Sequence, residues 1–264
     1  MRVTFLGTGT SQGIPVISCP CEVCHSSNTK DNRLRTSVMI EENNFTLVID
    51  TGPDFRQQML REQVKKVDAI LYTHSHKDHV AGLDDIRAFN YFTQQPMDIY
   101  ATEEVQEAIR REFYYAFDPN YNYPWIPKMK FHTITLSPFE IGPLKIIPAE
   151  VLHLKLPVLG FRFIHLNPRQ GEPNDFTYIT DASFIAEEEF EKIKGTKVLV
   201  LNALKKEKHI SHFSLDEAIE MSQRIGAEKT YFTHMSHQMG LHDVVSAQLP
   251  RNIFLAYDGL KVEV

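Results

Sequence analysis

Cysteine is scarce in this chain of 264 residues: there are three, all within Cys19-Pro20-Cys21-Glu22-Val23-Cys24. An odd number at such close spacing is a poor disulfide framework and a good thiolate clamp for a metal. Long apolar runs are lacking as well, so no segment reads as a membrane span. Positive charge is in deficit, with a net charge of −6, which argues against a broad nucleic-acid footprint. Internal repeats and low-complexity segments are missing too. The opening Met1-Arg2-Val3-Thr4-Phe5-Leu6-Gly7 reaches glycine too soon for a signal peptide, so a cytoplasmic location is the default expectation. Hydrophobic residues make up 42% and charged residues 23%, which is enough for a substantial core. The length fits one large domain or two small ones.

What is abundant is histidine in one place. Val67-Asp68-Ala69-Ile70-Leu71-Tyr72 reads as a buried strand, and Thr73-His74-Ser75-His76-Lys77-Asp78-His79 as a polar loop after it. From Gly82 onward, Leu83, Ile86, Ala88, Phe89 and Tyr91 have helical spacing. Three imidazoles and one carboxylate within six residues are hard to explain by solvation. The mixture suits zinc, manganese or iron(II).

His-x-His-x-Asp-His resembles the signature of the metallo-β-lactamase superfamily of hydrolases. The resemblance implies a four-layer αβ/βα sandwich with paired metals at one edge. It also implies three further ligands near strand ends: a His, an Asp and a last His.

Taken in order, Arg2 to Leu6 is a strand and Gly7-Thr8-Gly9-Thr10-Ser11-Gln12-Gly13 a tight loop near the active site. Its glycine spacing is wrong for a dinucleotide fingerprint, and Pro15 falls where a helix would run. Three thiolates at Cys19, Cys21 and Cys24 leave one vacancy in a tetrahedral zinc site. His25 is sterically awkward for it, whereas a distant His would staple the loop to the fold. Strands follow over Ser37 to Glu41 and Phe45 to Asp50, where Asp50 either orients an imidazole or caps a turn. Phe55 to Val64 is an amphipathic helix. Asp84 and Asp85 suit a helix N-terminus, and Thr102 is a cap candidate for a helix to Phe113.

The aromatic, proline-punctuated stretch over 113–127 suits a lid, an oligomer contact such as a homodimer interface, or simple core packing. It has no glycine and is not basic, unlike the arm of the superfamily's tRNA 3′-processing nucleases. Strands over Lys130 to Leu136 and Leu144 to Val151 lead to His153, where the resemblance places the next ligand. Val158 to His165 is a strand, Gly171 to Asp175 a turn, and Phe176 to Asp181 a strand ending at the expected bridging carboxylate, Asp181. A helix over Ala186 to Lys194 could take Ser183 as its cap. Lys197 to Leu201 is a strand, Ser214 to Glu217 a capping box, and Lys229 to Thr233 a strand ending at His234, the last expected ligand.

The resemblance then assigns His74, His76 and His153 to one ion and Asp78, His79 and His234 to a second, with Asp181 between them. Cys-x-Cys-x-x-Cys, a His before the capped helix and a final His-x-x-His narrow it to one subgroup. That subgroup includes the phosphoribosyl cyclic phosphate phosphodiesterase of bacterial phosphonate utilisation. By position, Cys19, Cys21, Cys24 and His237 would bind a structural zinc. His212 would be the catalytic acid, with Asp78 also part of the catalytic set. A superfamily cousin from pyrroloquinoline quinone biosynthesis shares a cysteine-rich clamp.

The charges make the chemistry concrete. Two dications of zinc or manganese, less Asp78, Asp181 and a bridging hydroxide, leave a net positive centre suited to an anionic phosphodiester. Such ions lower the pKa of bound water to about 7, and the hydroxide attacks phosphorus in line. An alkoxide leaving group needs the proton of His212. A position just before a helix disfavours imidazolium, so the bound phosphate or a carboxylate must compensate. The expectation is a phosphodiesterase for a small cyclic or nucleotide-like phosphodiester, with the whole chain, 1–264, as one hydrolase domain. The alternatives are a thioester or lactam hydrolase and a cofactor-biosynthesis accessory protein. Histidines 25, 132, 165, 209 and 242 are left as surface or core residues.

Overall fold

The computed structural model describes residues 1–121, 123–166 and 175–264. The turn expected over Gly171 to Asp175 lies outside the described residues except for Asp175, which opens a strand.

Among the described residues, two sheets form. The first holds β1 (Arg2–Gly7), β2 (Ser37–Glu42), β3 (Phe45–Ile49), β4 (Ala69–Leu71), β5 (Met97–Ala101) and β6 (Met129–Thr133). The second holds β7 (Phe139–Ile141), β8 (Leu144–His153), β9 (Leu156–His165), β10 (Asp175–Ile179), β11 (Phe184–Ile185), β12 (Val198–Asn202), β13 (Lys229–Thr233) and β14 (Ile253–Leu255). The last strand, β15 (Lys261–Glu263), returns to the first sheet and pairs with β1. The orders are β15-β1-β2-β3-β4-β5-β6 and β11-β8-β9-β10-β12-β13-β14, with β7 on β8.

Period-two alternation along the strands sorts the core into three slabs. On β1, Val3 and Phe5 enter the slab between the sheets and Leu6 the slab outside. On β2, Val38 and Ile40 go inward and Met39 outward. On β12, Val198 and Val200 face the first sheet, and Leu199 and Leu201 face the other way. The outer slabs are covered by α1 (Phe55–Arg61), α2 (Lys77–Val80), α3 (Arg87–Thr93) and α4 (Glu103–Glu112) on one side. On the other side lie α5 (Glu187–Ile193), α6 (Leu215–Ile225) and α7 (His242–Ser246). Three slabs between four layers make the expected αβ/βα sandwich. Fully buried Phe161 and Phe163 sit in its central slab, where truncation to Ala costs about 3–5 kcal/mol.

Three local expectations need correction. The metal loop contains a helical turn, α2, with His76 as its N-cap. The strand expected to stop at Val151 runs two residues further, so His153 is its last residue. Ser183 does not cap α5; its hydroxyl donates to the Leu152 carbonyl. The aromatic stretch divides by face. Phe113 is buried and Tyr115 and Phe117 pack on the helix-side slab, with the Tyr115 hydroxyl donating to Asp84. Tyr114, Tyr121, Tyr123 and Trp125 are exposed.

Candidate metal centre

The ends of β4, β8, β10 and β13 meet at one edge of the sandwich, and each delivers a side chain of the predicted set. His74, His76, Asp78 and His79 follow β4; His153 ends β8; Asp181 follows β10; His234 follows β13. Asp50, Asp181 and His234 all adopt left-handed backbone, at φ 62°, 58° and 56°. That conformation costs non-glycine residues on the order of 1–3 kcal/mol and gathers at functional sites. Here the three stand one or two residues past the ends of β3, β10 and β13, at the shared edge.

The seven predicted ligands come together. Ligand atoms of Asp78, His79, Asp181 and His234 lie within 4.8 Å of one another, as do those of His153, Asp181 and His212. The His74 ring centroid is 4.6 Å from that of His76 and 6.3 Å from that of His153, and the His76 and His153 rings are 5.3 Å apart. Asp181 is common to both clusters. The loop after β1 is also at the edge, with Thr10 Oγ1 3.3 Å from His234 Nε2.

Hydrogen bonds fix which nitrogen two of the imidazoles offer. His79 Nδ1 stands 2.7 Å from Asp50 Oδ2, and His153 Nδ1 donates to the Ser211 carbonyl at 2.8 Å. Asp50 therefore orients an imidazole, the first of the two roles left open for it. His74 Nε2 and His79 Nε2 are buried without a hydrogen-bond partner among the described residues. Orphaned buried acceptors are rare and call for an explanation. A cation supplies one, because Asp78 and Asp181 oxygens each stand 3.3 Å from His79 Nε2.

The carboxylates at this edge call for positive charge, and a proton on His79 and a divalent cation are alternative ways to supply it. Burial opposes charge on His79, but Asp181, Asp50 and Asp78 outweigh it and raise its pKa well above the ordinary value. Burial also works against ionised Asp181, yet His234 and His79 hold its carboxyl well below the usual range. Burial pushes His74 far down and His234 down to about 4, leaving both neutral, as ligands must be. An Asp/His cluster of this chemistry fits divalent metal.

His212 lies beside this group. Its Nε2 is 3.2 Å from Asp181 Oδ1, and its ring is 4.5 Å from that of His153. A carboxylate, Asp181, thus faces His212. His209, treated as an ordinary surface residue, has its Nδ1 3.4 Å from His212 Nδ1. No motif spacing singled it out.

A second cluster lies apart. Cys19 Sγ and Cys21 Sγ stand 3.2 and 3.3 Å from His237 Nδ1, and Cys24 completes the four. Tetrahedral zinc with Zn–S about 2.3 Å and Zn–N about 2.0 Å needs S···N separations of roughly 3.5 Å. The distant His, not His25, therefore closes the clamp. The Cys24 N–H, then His237, bring the Cys21 thiol down to about 6, while burial lifts Cys24 to about 11.

Residues 46–235 match the beta-lactamase superfamily domain. The chain belongs to that superfamily. It is 36% identical over 264 residues to an octanoyltransferase of Porphyromonas gingivalis, covering 99% of this chain and 51% of that protein. Coenzyme PQQ synthesis protein B of Methylobacterium radiotolerans matches at 29% over 123 residues, 41% of this chain and 40% of that one. The chain thus spans about half the length, or less, of these curated relatives. Among solved structures, a diphosphatase from the PhnP family superposes with a TM-score of 0.88 at 37% identity, covering 100% of this chain and 97% of that one. Superfamily membership therefore extends to a PhnP-like subgroup. Zinc-bound PqqB from Methylobacterium extorquens, at 19% identity and a TM-score of 0.77 with full coverage of both chains, shares the fold. The residues described above lie in a metallo-β-lactamase-fold chain of this superfamily.

Proposed function

We propose that the chain is a dinuclear metal-dependent phosphodiesterase acting on a small cyclic or nucleotide-like phosphodiester. The placement of His212 carries this reading: an imidazole nitrogen 3.2 Å from the carboxylate common to both ligand groups. A proton donor at that point serves an ester whose alkoxide leaves poorly; thioesters and lactams depend on it less. The PhnP-family diphosphatase, 37% identical along nearly its whole length, supports phosphoryl chemistry. Its name also makes phosphoric anhydrides worth assaying.

His74, His76 and His153 would hold one zinc or manganese ion, and Asp78, His79 and His234 the other, with Asp181 shared. Divalent ions bound there make water nucleophilic near neutral pH and offset charge on the phosphoryl oxygens. Asp50 keeps the His79 ring in place through Nδ1, and the Ser211 carbonyl does the same for His153. His212, whose Nε2 faces Asp181, would give its Nε2 proton to the departing oxygen. Cys19, Cys21, Cys24 and His237 would hold a structural zinc that ties the loop after β1 to the turn after β13.

A second reading has one observation in its favour, the similarity to a protein named octanoyltransferase: the substrate would be an acyl thioester or ester. Metal analysis combined with one assay panel separates the two. The panel holds bis(p-nitrophenyl) phosphate, cyclic ribose phosphates and an octanoyl thioester. Bound metal with turnover of the phosphodiesters supports the proposal. Turnover of the thioester alone overturns it, and bound metal with no turnover at all points to an accessory role.

A further inference from the structure

Three residues of the proposed ligand set follow directly after a threonine at a strand end: Thr73-His74, Thr180-Asp181 and Thr233-His234. Two of these threonines contact the set. Thr73 and Thr180 are both buried, at 2% and 0% exposure. The Thr73 hydroxyl donates to Asp50 Oδ2 at 2.8 Å and stands 2.9 Å from His74 Nδ1. A hydroxyl has a single hydrogen and two lone pairs. With that hydrogen on Asp50, Thr73 receives the Nδ1–H of His74, and the proton is kept off Nε2.

The other half repeats the arrangement. The Thr180 hydroxyl donates to Asp181 Oδ2 at 2.6 Å and lies 3.4 Å from His234 Nδ1. Asp50 also accepts from the Thr73 N–H at 2.9 Å and faces His79 Nδ1 at 2.7 Å. One buried carboxylate thus reaches an imidazole of each ion's set, directly for His79 and through Thr73 for His74.

We propose that Thr73 and Thr180 are positioning residues that hold His74 and His234 in the tautomer with the proton on Nδ1, so that Nε2 presents a lone pair to a divalent cation, in His234 in place of the Thr10 hydroxyl. Each hydroxyl does so by committing its one hydrogen to a carboxylate. The inference rests on the two-ion reading above.

Thr73→Val keeps the shape and removes the hydroxyl, leaving the His74 Nδ1–H with no acceptor. Partners of this kind are worth about 10–100-fold in metal affinity. In competition titrations of the full-length protein with zinc and a chromophoric chelator, Thr73→Val should weaken one tight site about 10–100-fold. Thr180→Val should weaken the other, by less because its contact is longer, and Thr73→Ser should restore near-wild-type affinity. Wild-type affinity in Thr73→Val, or a serine variant as weak as the valine one, overturns the proposal. Nitrogen-15 NMR of the metal-free wild type tests it without any substitution. Protonated Nδ1 on His74 is expected, and protonated Nε2 overturns it. If the wild type took up only the clamp's zinc, the two-ion reading would fall, and the tautomer measurement would still decide the role of Thr73.

Discussion

His212 precedes the eleven-residue helix α6, where the helix dipole works against imidazolium. Asp181 Oδ1 stands 3.2 Å from the His212 Nε2, and the phosphate of a bound substrate would add a second negative group beside it. His212→Ala should therefore keep its metal and lose about 10²–10⁴-fold in turnover of alkyl phosphodiesters. Aryl diesters, whose leaving groups depart without a proton, should lose far less. Equal losses on both, measured on metal-loaded protein, would remove His212 from the acid role. At this scale the candidate ligands could be read from the sequence because they are contiguous or stand in the order that the family resemblance implies. Thr73 and Thr180 could not. A threonine ending a strand is an ordinary β-former, and its partner Asp50 is 23 residues away. His209 was invisible for the same reason, since its importance lies only in a ring placed across a short loop.

At the scale of elements, α6 is set by a capping box in which Ser214 Oγ accepts the Glu217 N–H and the Glu217 carboxylate receives the Ser214 N–H. Ser214→Ala should cost about 1 kcal/mol in urea unfolding. It should also lower activity more than that loss explains, because His212 stands two residues before Ser214 and reaches Asp181 from there. Wild-type kcat in a folded Ser214→Ala protein would show that the cap is structural only. Alternation made the long strands readable. β7, β14 and β15, of three residues each, are too short to show a period and form only because a neighbouring strand accepts them. The turn α2 was hidden for a different reason. Of its four residues, Lys77–Val80, two are candidate ligands and only Val80 is apolar, so no apolar stripe announces a helix.

Across the whole molecule, Arg33 is the buried link between the amino-terminal segment and the last strands. It donates to Thr8 Oγ1, to the Ala256 carbonyl and to His242 Nδ1 at 3.1 Å. His242 can accept only while neutral, and burial, then Arg33 and Lys30, bring its pKa from 6.5 down to about 4. A depressed folded-state pKa means that the unfolded chain binds the proton more tightly. The contribution is present above pH 6.5 and is lost as pH falls through 4. Unfolding midpoints should therefore drop between these values, and His242→Asn, whose amide oxygen can accept in the same place, should flatten the decline. A variant as pH-sensitive as the wild type would assign the effect to other groups.

The proposed ions would be gripped by β4 of one sheet and by β8, β10 and β13 of the other. They would therefore act as a clasp across the seam of the sandwich, closing only after both halves have met. Stripping them with a chelator should let that rim breathe while the opposite rim stays shut. Amide hydrogen exchange should quicken first around residues 72–80, 151–154, 180–183 and 233–236, well before the strands as a whole give way.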